Sequence, residues 1–96
     1  MSSITDFIST GEDNAVSLAE LCRITSLESR ALRLLIEAAR RNGAVICSSV
    51  NGYFFPETLP ELQDYIHRER ARSKSITRSL KAAEKLLKDW KEQNDE

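Results

Sequence analysis

Arg23, Arg30, Arg33, Arg40 and Arg41 fall within residues 22–41 against only Glu28 and Glu37, and a second run, Arg68, Arg70, Arg72, Lys74, Arg78 and Lys81, meets Glu69 alone. A guanidinium stays charged at any physiological pH and donates through a rigid planar fork, so each run is a candidate surface for a polyanion or an acidic partner. The charge is local. With 14 basic and 15 acidic side chains the net charge is -1, and the acids collect toward the ends, as in Glu12, Asp13, Asp89, Glu92, Asp95 and Glu96. Other reactive types are few. Cys22 lies in a helical pattern and Cys47 in a strand pattern, neither with the Cys or His neighbours of a metal site, so both read as small buried thiols. His67 is the single histidine, in a charged helical stretch, and there is no Gly-rich phosphate loop or HExxH motif. These observations argue against an enzyme, and imply no cofactor and no metal.

A chain of 96 residues has room for one core, and 41% hydrophobic with 30% charged residues is the balance of a globular domain. No apolar run approaches the roughly 18 to 20 residues of a membrane span, and residues 1–11 lack the basic and apolar regions of a secretory leader. The expectation is a cytoplasmic protein with no membrane partner.

The elements that would position the arginines follow from periodicity and caps. Ile4, Phe7 and Ile8 at helical spacing before Gly11 predict a short first helix. Ser17 and Glu20 form a capping-box pair, predicting a second helix from Leu18 that ends at a Thr25-Ser26 turn carrying a fresh N-cap. A third helix is predicted over residues 27–42, stopped by Gly43. Its apolar stripe is Leu27, Ala31, Leu34, Leu35, Ala38 and Ala39, widened by Leu32 and Ile36, and its other face carries Arg30, Arg33, Glu37, Arg40 and Arg41. Residues 44–47 and 53–55 are β-prone runs around Asn51-Gly52, the hairpin signal of a type I′ turn. With that pair as the loop, Val50 opposes Tyr53 and Ser48 opposes Phe55. Ile46, Val50, Tyr53 and Phe55 then share one face, and Val45, Cys47 and Phe54 the other. Both faces are apolar, so both need cover.

Thr58-Leu59-Pro60-Glu61 is a helix start, and nothing from residue 59 to about 92 interrupts it with Gly or Pro. One helix of about 34 residues, roughly 50 Å long, is predicted. Leu62, Ile66, Glu69, Ser73, Ile76, Leu80, Ala83, Leu87 and Trp90 follow the four- and three-residue steps of a coiled-coil seam. Its first end is expected to pack on the domain and Ile76, Leu80, Ala83, Leu87 and Trp90 to pair two chains. The alternative is a break near Ser73-Lys74-Ser75 that lets the tail fold back.

This order of elements resembles the winged helix-turn-helix family of small phage and bacterial regulators over roughly residues 3–66. Residues 17–21 look like the first helix of the motif, Thr25-Ser26 like its turn, residues 27–42 like the recognition helix and residues 43–55 like the wing. The fold implied is α+β, mainly α: three helices and a two-stranded wing in residues 1–57, then a long C-terminal helix in residues 58–96. The resemblance implies double-stranded DNA as partner, with the recognition helix in the major groove. Carried over by position, Ser26, Glu28, Ser29, Arg30 and Arg33 approach bases, Arg23, Arg40 and Arg41 meet phosphates, and Ser49 and Asn51 are the polar groups of the wing. The wing tip holds no Lys or Arg, which implies weak or partner-assisted affinity. Two readings stand: a homodimeric DNA-binding regulator or replication accessory, or a protein-binding adaptor that occupies a host protein with the same scaffold.

Overall fold

The computed structural model of the chain describes residues 3–72 and 78–94. Two single 3-10 turns, Ile4–Phe7 and Glu12–Asn14, precede helices α1 (Leu18–Thr25) and α2 (Ser29–Arg41). Strands β1 (Cys47–Ser49) and β2 (Gly52–Phe54) and helices α3 (Leu59–Arg72) and α4 (Arg78–Asn94) follow. The architecture is mainly helical with one two-stranded antiparallel sheet.

Local chemistry sets the boundaries. Ser17 Oγ accepts from the Glu20 amide at 3.1 Å and starts α1, while the Glu20 carboxylate turns to Arg23 instead of closing the capping box. Ser26, at φ +60, closes α1 in the left-handed region, its amide donating to the Cys22 carbonyl at 2.9 Å. The Leu27 amide donates to Thr25 Oγ1. Because both residues serve the end of α1, α2 begins only at Ser29, with Glu28 at its cap and no side-chain bond there. The N-terminal segment forms one 3-10 turn rather than an α-helix, since its backbone continues onto the hairpin: the Phe55 amide donates to the Ser9 carbonyl and the Gly11 amide to the Phe55 carbonyl, both at 2.8 Å.

The hairpin forms two residues away from its expected register. Ser49 opposes Gly52, Ser48 opposes Tyr53 and Cys47 opposes Phe54, leaving Val50 and Asn51 as the turn and Val50 fully exposed. Gly52, at φ +125, is needed for a close approach, because a Cβ there would overlap the Val16 carbonyl. Val16 and Tyr53 exchange backbone hydrogen bonds at 2.8 and 2.9 Å beside it. A slip of two keeps side chains on their faces, so the predicted sidedness holds for the strand residues. Ile46, with Tyr53 and Phe55 against it, belongs to a cluster of Ile4, Ile8, Leu21, Leu32 and Ile36. Cys47 and Phe54 belong to a second cluster with Leu62, Tyr65, Ile66, Leu80 and Ala83.

That second cluster overturns the continuous C-terminal helix. α3 ends at Arg72, α4 starts at Arg78, and α4 packs on both α3 and α2. Arg70 and Glu84 form an ion pair; on one straight helix they would stand about 21 Å apart. Leu80 and Ala83, expected to pair two chains, are buried in the chain's own core, and Leu87 and Trp90 pack against it half-buried. Ile76 lies outside the described residues. α3 and α4 are therefore no appendage to a separate head, because α4 supplies part of the core. The physical reason is cover: the Cys47–Phe54 face of the hairpin is apolar and α3 alone leaves it open.

Leu80→Ala should lower the unfolding free energy by about 2 to 5 kcal/mol, the cost of a cavity in a closed core. Denaturant unfolding at several protein concentrations checks this. A loss that appears only through concentration-dependent dissociation would return Leu80 to a partner-chain interface.

Candidate nucleic-acid interface

Leu32, Ile36 and Ala39 hold α2 to the first cluster, whereas Leu27, Leu34 and Leu35 of the expected apolar stripe are exposed. The buried face is turned about a quarter of the way round the helix, toward the two residues expected only to widen it. At 100° per residue the opposite side carries Arg30, Leu34, Glu37 and Arg41, with Arg33 on the flank toward the hairpin. All five are exposed, and no ion pair among the described residues holds Arg30, Arg33 or Arg41. The local pairs Arg33–Glu37 and Glu37–Arg41 that helical spacing allows are not formed.

Arg40 departs from its expected role at phosphate. It is half-buried, its Nε donates to the Ile46 carbonyl at 2.8 Å, and its guanidinium lies 5.3 Å from the centre of the Tyr65 ring. Its Nη2 is buried without a hydrogen-bond partner. Arg40 thus fastens α2 to the segment entering β1 and to α3, and positions the free arginines rather than joining them. Arg23, also expected at phosphate, is exposed but held by Glu20.

The hairpin gains the cations its tip lacks from α3. Arg68 Nη2 donates to the Ser48 carbonyl at 2.6 Å, and Arg68 and Arg72 line one side of the tip with Ser48, Ser49 and Val50. Arg33 lines the other side with Ser48, Ser49, Gly52 and Tyr53. A cleft of about 380 Å³ between α2, the hairpin and α3 brings Arg33, Arg40 and Arg72 together with Glu37 and Glu69. Glu69 stands 3.4 Å from Arg72 and offsets part of that charge. Arg70 points elsewhere, to Glu84 on α4. The arginines of α3 therefore divide by face. The four-residue step from Arg68 to Arg72, which puts both on one side of a helix, is the signal by which the pair is legible.

The remaining expected residues are dispersed or occupied. Ser29 is exposed at the start of α2, and Ser26 is exposed in the turn as the cap of α1. At the hairpin tip Ser49 Oγ accepts from the Asn51 amide at 3.1 Å, and Asn51 Nδ2 donates to Glu12 Oε2 at 3.2 Å. These bonds shape the tip. His67 is exposed on α3, and among the described residues no group of three His, Cys, Asp or Glu side chains is placed to hold a metal ion. No described helix is long and apolar enough to cross a membrane.

Compared with protein-family models, with curated proteins and with solved structures, the chain has no match in any of the three. The geometry of its own residues carries the functional argument.

Titration behaviour separates surface from support. The hydrogen bond from Arg23 holds the Glu20 carboxyl below its ordinary range, and Glu20 raises Arg23 in return. Beneath the cationic face, burial pushes the Cys47 thiol and the Tyr65 phenol both up to about 12, with the nearby Arg40 charge working against the rise in each. Both groups are protonated in the folded chain at pH values where the unfolded chain has begun to ionise. Their contribution to stability is complete below pH 9, the ordinary value of the thiol, and is lost as pH climbs to about 12. The melting temperature should hold level from pH 7 to about 9 and then fall steeply. A melting temperature unchanged up to pH 12, followed by circular dichroism, would contradict this burial of the two groups.

Proposed function

We propose that the chain is a DNA-binding protein of winged helix-turn-helix type, with α1 and α2 as the two helices of the motif, α2 as the recognition helix and the β1–β2 hairpin as the wing. The observation that carries the reading is the outward guanidinium set: Arg30, Arg33 and Arg41 unpaired on α2, with Arg68 and Arg72 beside the hairpin. Arg30 and Arg33 occupy the N-terminal half of α2, the part of a recognition helix that meets base edges, and an arginine fork matches guanine O6 and N7. Arg68 and Arg72 take the phosphate role that a basic wing would otherwise fill. Such a protein serves as a transcriptional regulator or replication accessory in the cytoplasm of a bacterial or phage-infected cell. This reading does not depend on pairing of two chains through the tail, since Leu80 and Ala83 of the expected seam are buried in the chain's own core.

A second reading rests on a different surface. Ile24, Leu27 and Leu35 are large exposed aliphatics that line, with Ile4, Phe7 and Thr25, an apolar groove of about 340 Å³ across the first turn, α1 and α2. Exposed apolar patches of this kind mark protein contacts, which suits an adaptor or an inhibitor of a host protein.

Salt-dependent mobility shift on mixed genomic fragments separates the two. The full chain should give a retarded complex that weakens as salt rises, and Arg30→Ala with Arg33→Ala should abolish it. Arg68→Ala with Arg72→Ala should weaken binding to every fragment alike and reduce the salt slope by about two. No retarded complex at low salt overturns the DNA reading and leaves the adaptor.

A further inference from the structure

Leu34 belongs to neither of the two core clusters of the described residues. It is 58% exposed, more than any other large apolar side chain on the described helices, and lies opposite Leu32 and Ile36 rather than in the groove that Leu35 shares with Ile24 and Leu27. Its neighbours along the outward stripe of α2 are Arg30, four residues before, and Glu37 and Arg41, three and seven residues after. An apolar group bracketed by unpaired guanidiniums is poorly matched to an apolar protein surface, which would have to desolvate those charges. It is well matched to the floor of the DNA major groove. There the walls are phosphates, which complement the arginines, and the floor carries one apolar group, the C5-methyl of thymine.

We infer that Leu34 is a specificity-determining residue that packs on thymine methyls, so that the recognised duplex pairs a guanine read by Arg30 with thymine close by. The inference rests on the DNA-binding reading and adds to it the composition of the target. Four residues along α2 advance about 6 Å, and base pairs are stacked about 3.4 Å apart, so the guanine and the thymine lie within about two base pairs of each other. Glu37, one turn beyond Leu34, faces the same floor and disfavours a bare phosphate, which keeps this part of the stripe over bases. Removing one methyl from such a contact weakens binding about fourfold.

The test uses the full chain to select duplexes from a random-sequence pool at low salt. The selected duplex is then remade with deoxyuridine for thymidine, which deletes only the C5-methyl groups, and both versions are titrated with the native chain and with Leu34→Ala. The native chain should bind the uracil duplex about fourfold more weakly for each methyl contacted, and Leu34→Ala should bind both duplexes alike. Because Leu34 is exposed, the variant should keep the native melting temperature, and this is measured alongside. Equal affinity of the native chain for both duplexes overturns the assignment while leaving DNA binding intact. So does a Leu34→Ala variant that still distinguishes them. Failure to select any duplex overturns DNA binding itself, and this inference with it.

Discussion

Leu80 and Ala83 cover the apolar surface made by Phe54, Cys47, Leu62, Tyr65 and Ile66, and the rest of the molecule is arranged around that closure. A two-stranded hairpin with apolar side chains on both faces cannot stand in water, and α1 and α2 cover only one face. α3 and α4 supply the other, with Arg70 and Glu84 paired between them. An exposed pair of that kind is worth little by itself, whereas a buried leucine contributes about 1.5 to 3 kcal/mol, so burial sets the return of α4 and the ion pair follows it. Once the hairpin is held between two layers, Arg68 and Arg72 on α3 stand beside its tip and Arg33 on α2 stands on its other side.

Much of this was legible from residue types. Ser17 capping α1 and the two-faced hairpin follow from local pattern, because each depends on a period or a cap and not on distant partners. The buried face of α2 was legible only in part: Leu32 and Ile36, read as widening the stripe, are its centre, while Leu27, Leu34 and Leu35 of that stripe are exposed. The hairpin register was not legible, since Asn51-Gly52 is a turn signal only if no other element needs the glycine. Val16 approaches Gly52 so closely that glycine is required in the strand instead. The end of α3 was hidden for a related reason. The four- and three-residue spacing of Leu80, Ala83, Leu87 and Trp90 describes an apolar helix face without saying whether a second chain or the same chain covers it.

The candidate interface was legible in part. Arg30, Arg33 and Arg41 face outward as the helical period requires, but the same period places Arg40 beside them, and only the Tyr65 ring and the Ile46 carbonyl reveal that it turns inward. Arg68 and Arg72 were obscured by Lys74, Arg78 and Lys81, which suggest a charge spread around one long helix. With α3 ending at Arg72, the pair stands on one side of the hairpin tip. The surface that emerges combines charges from two helices, α2 and α3, on either side of the hairpin, which is how a chain of net charge -1 presents a local cationic face. On the far side of α2 the groove of Ile24, Leu27 and Leu35 offers a contact of the opposite character.

In the proposed reading these separate arginines act as one face toward DNA, carried by a scaffold that α4 locks. The most direct test is a heteronuclear NMR titration of the native chain with a mixed-sequence duplex at low salt, following backbone amides and arginine Nε signals together. Shifts are expected at Arg30, Arg33, Arg68 and Arg72 and at the amides of the hairpin tip, with Arg70 and the amides of α4 unchanged. Shifts confined to Phe7, Ile24, Leu27 and Leu35, or none at all, would contradict that reading.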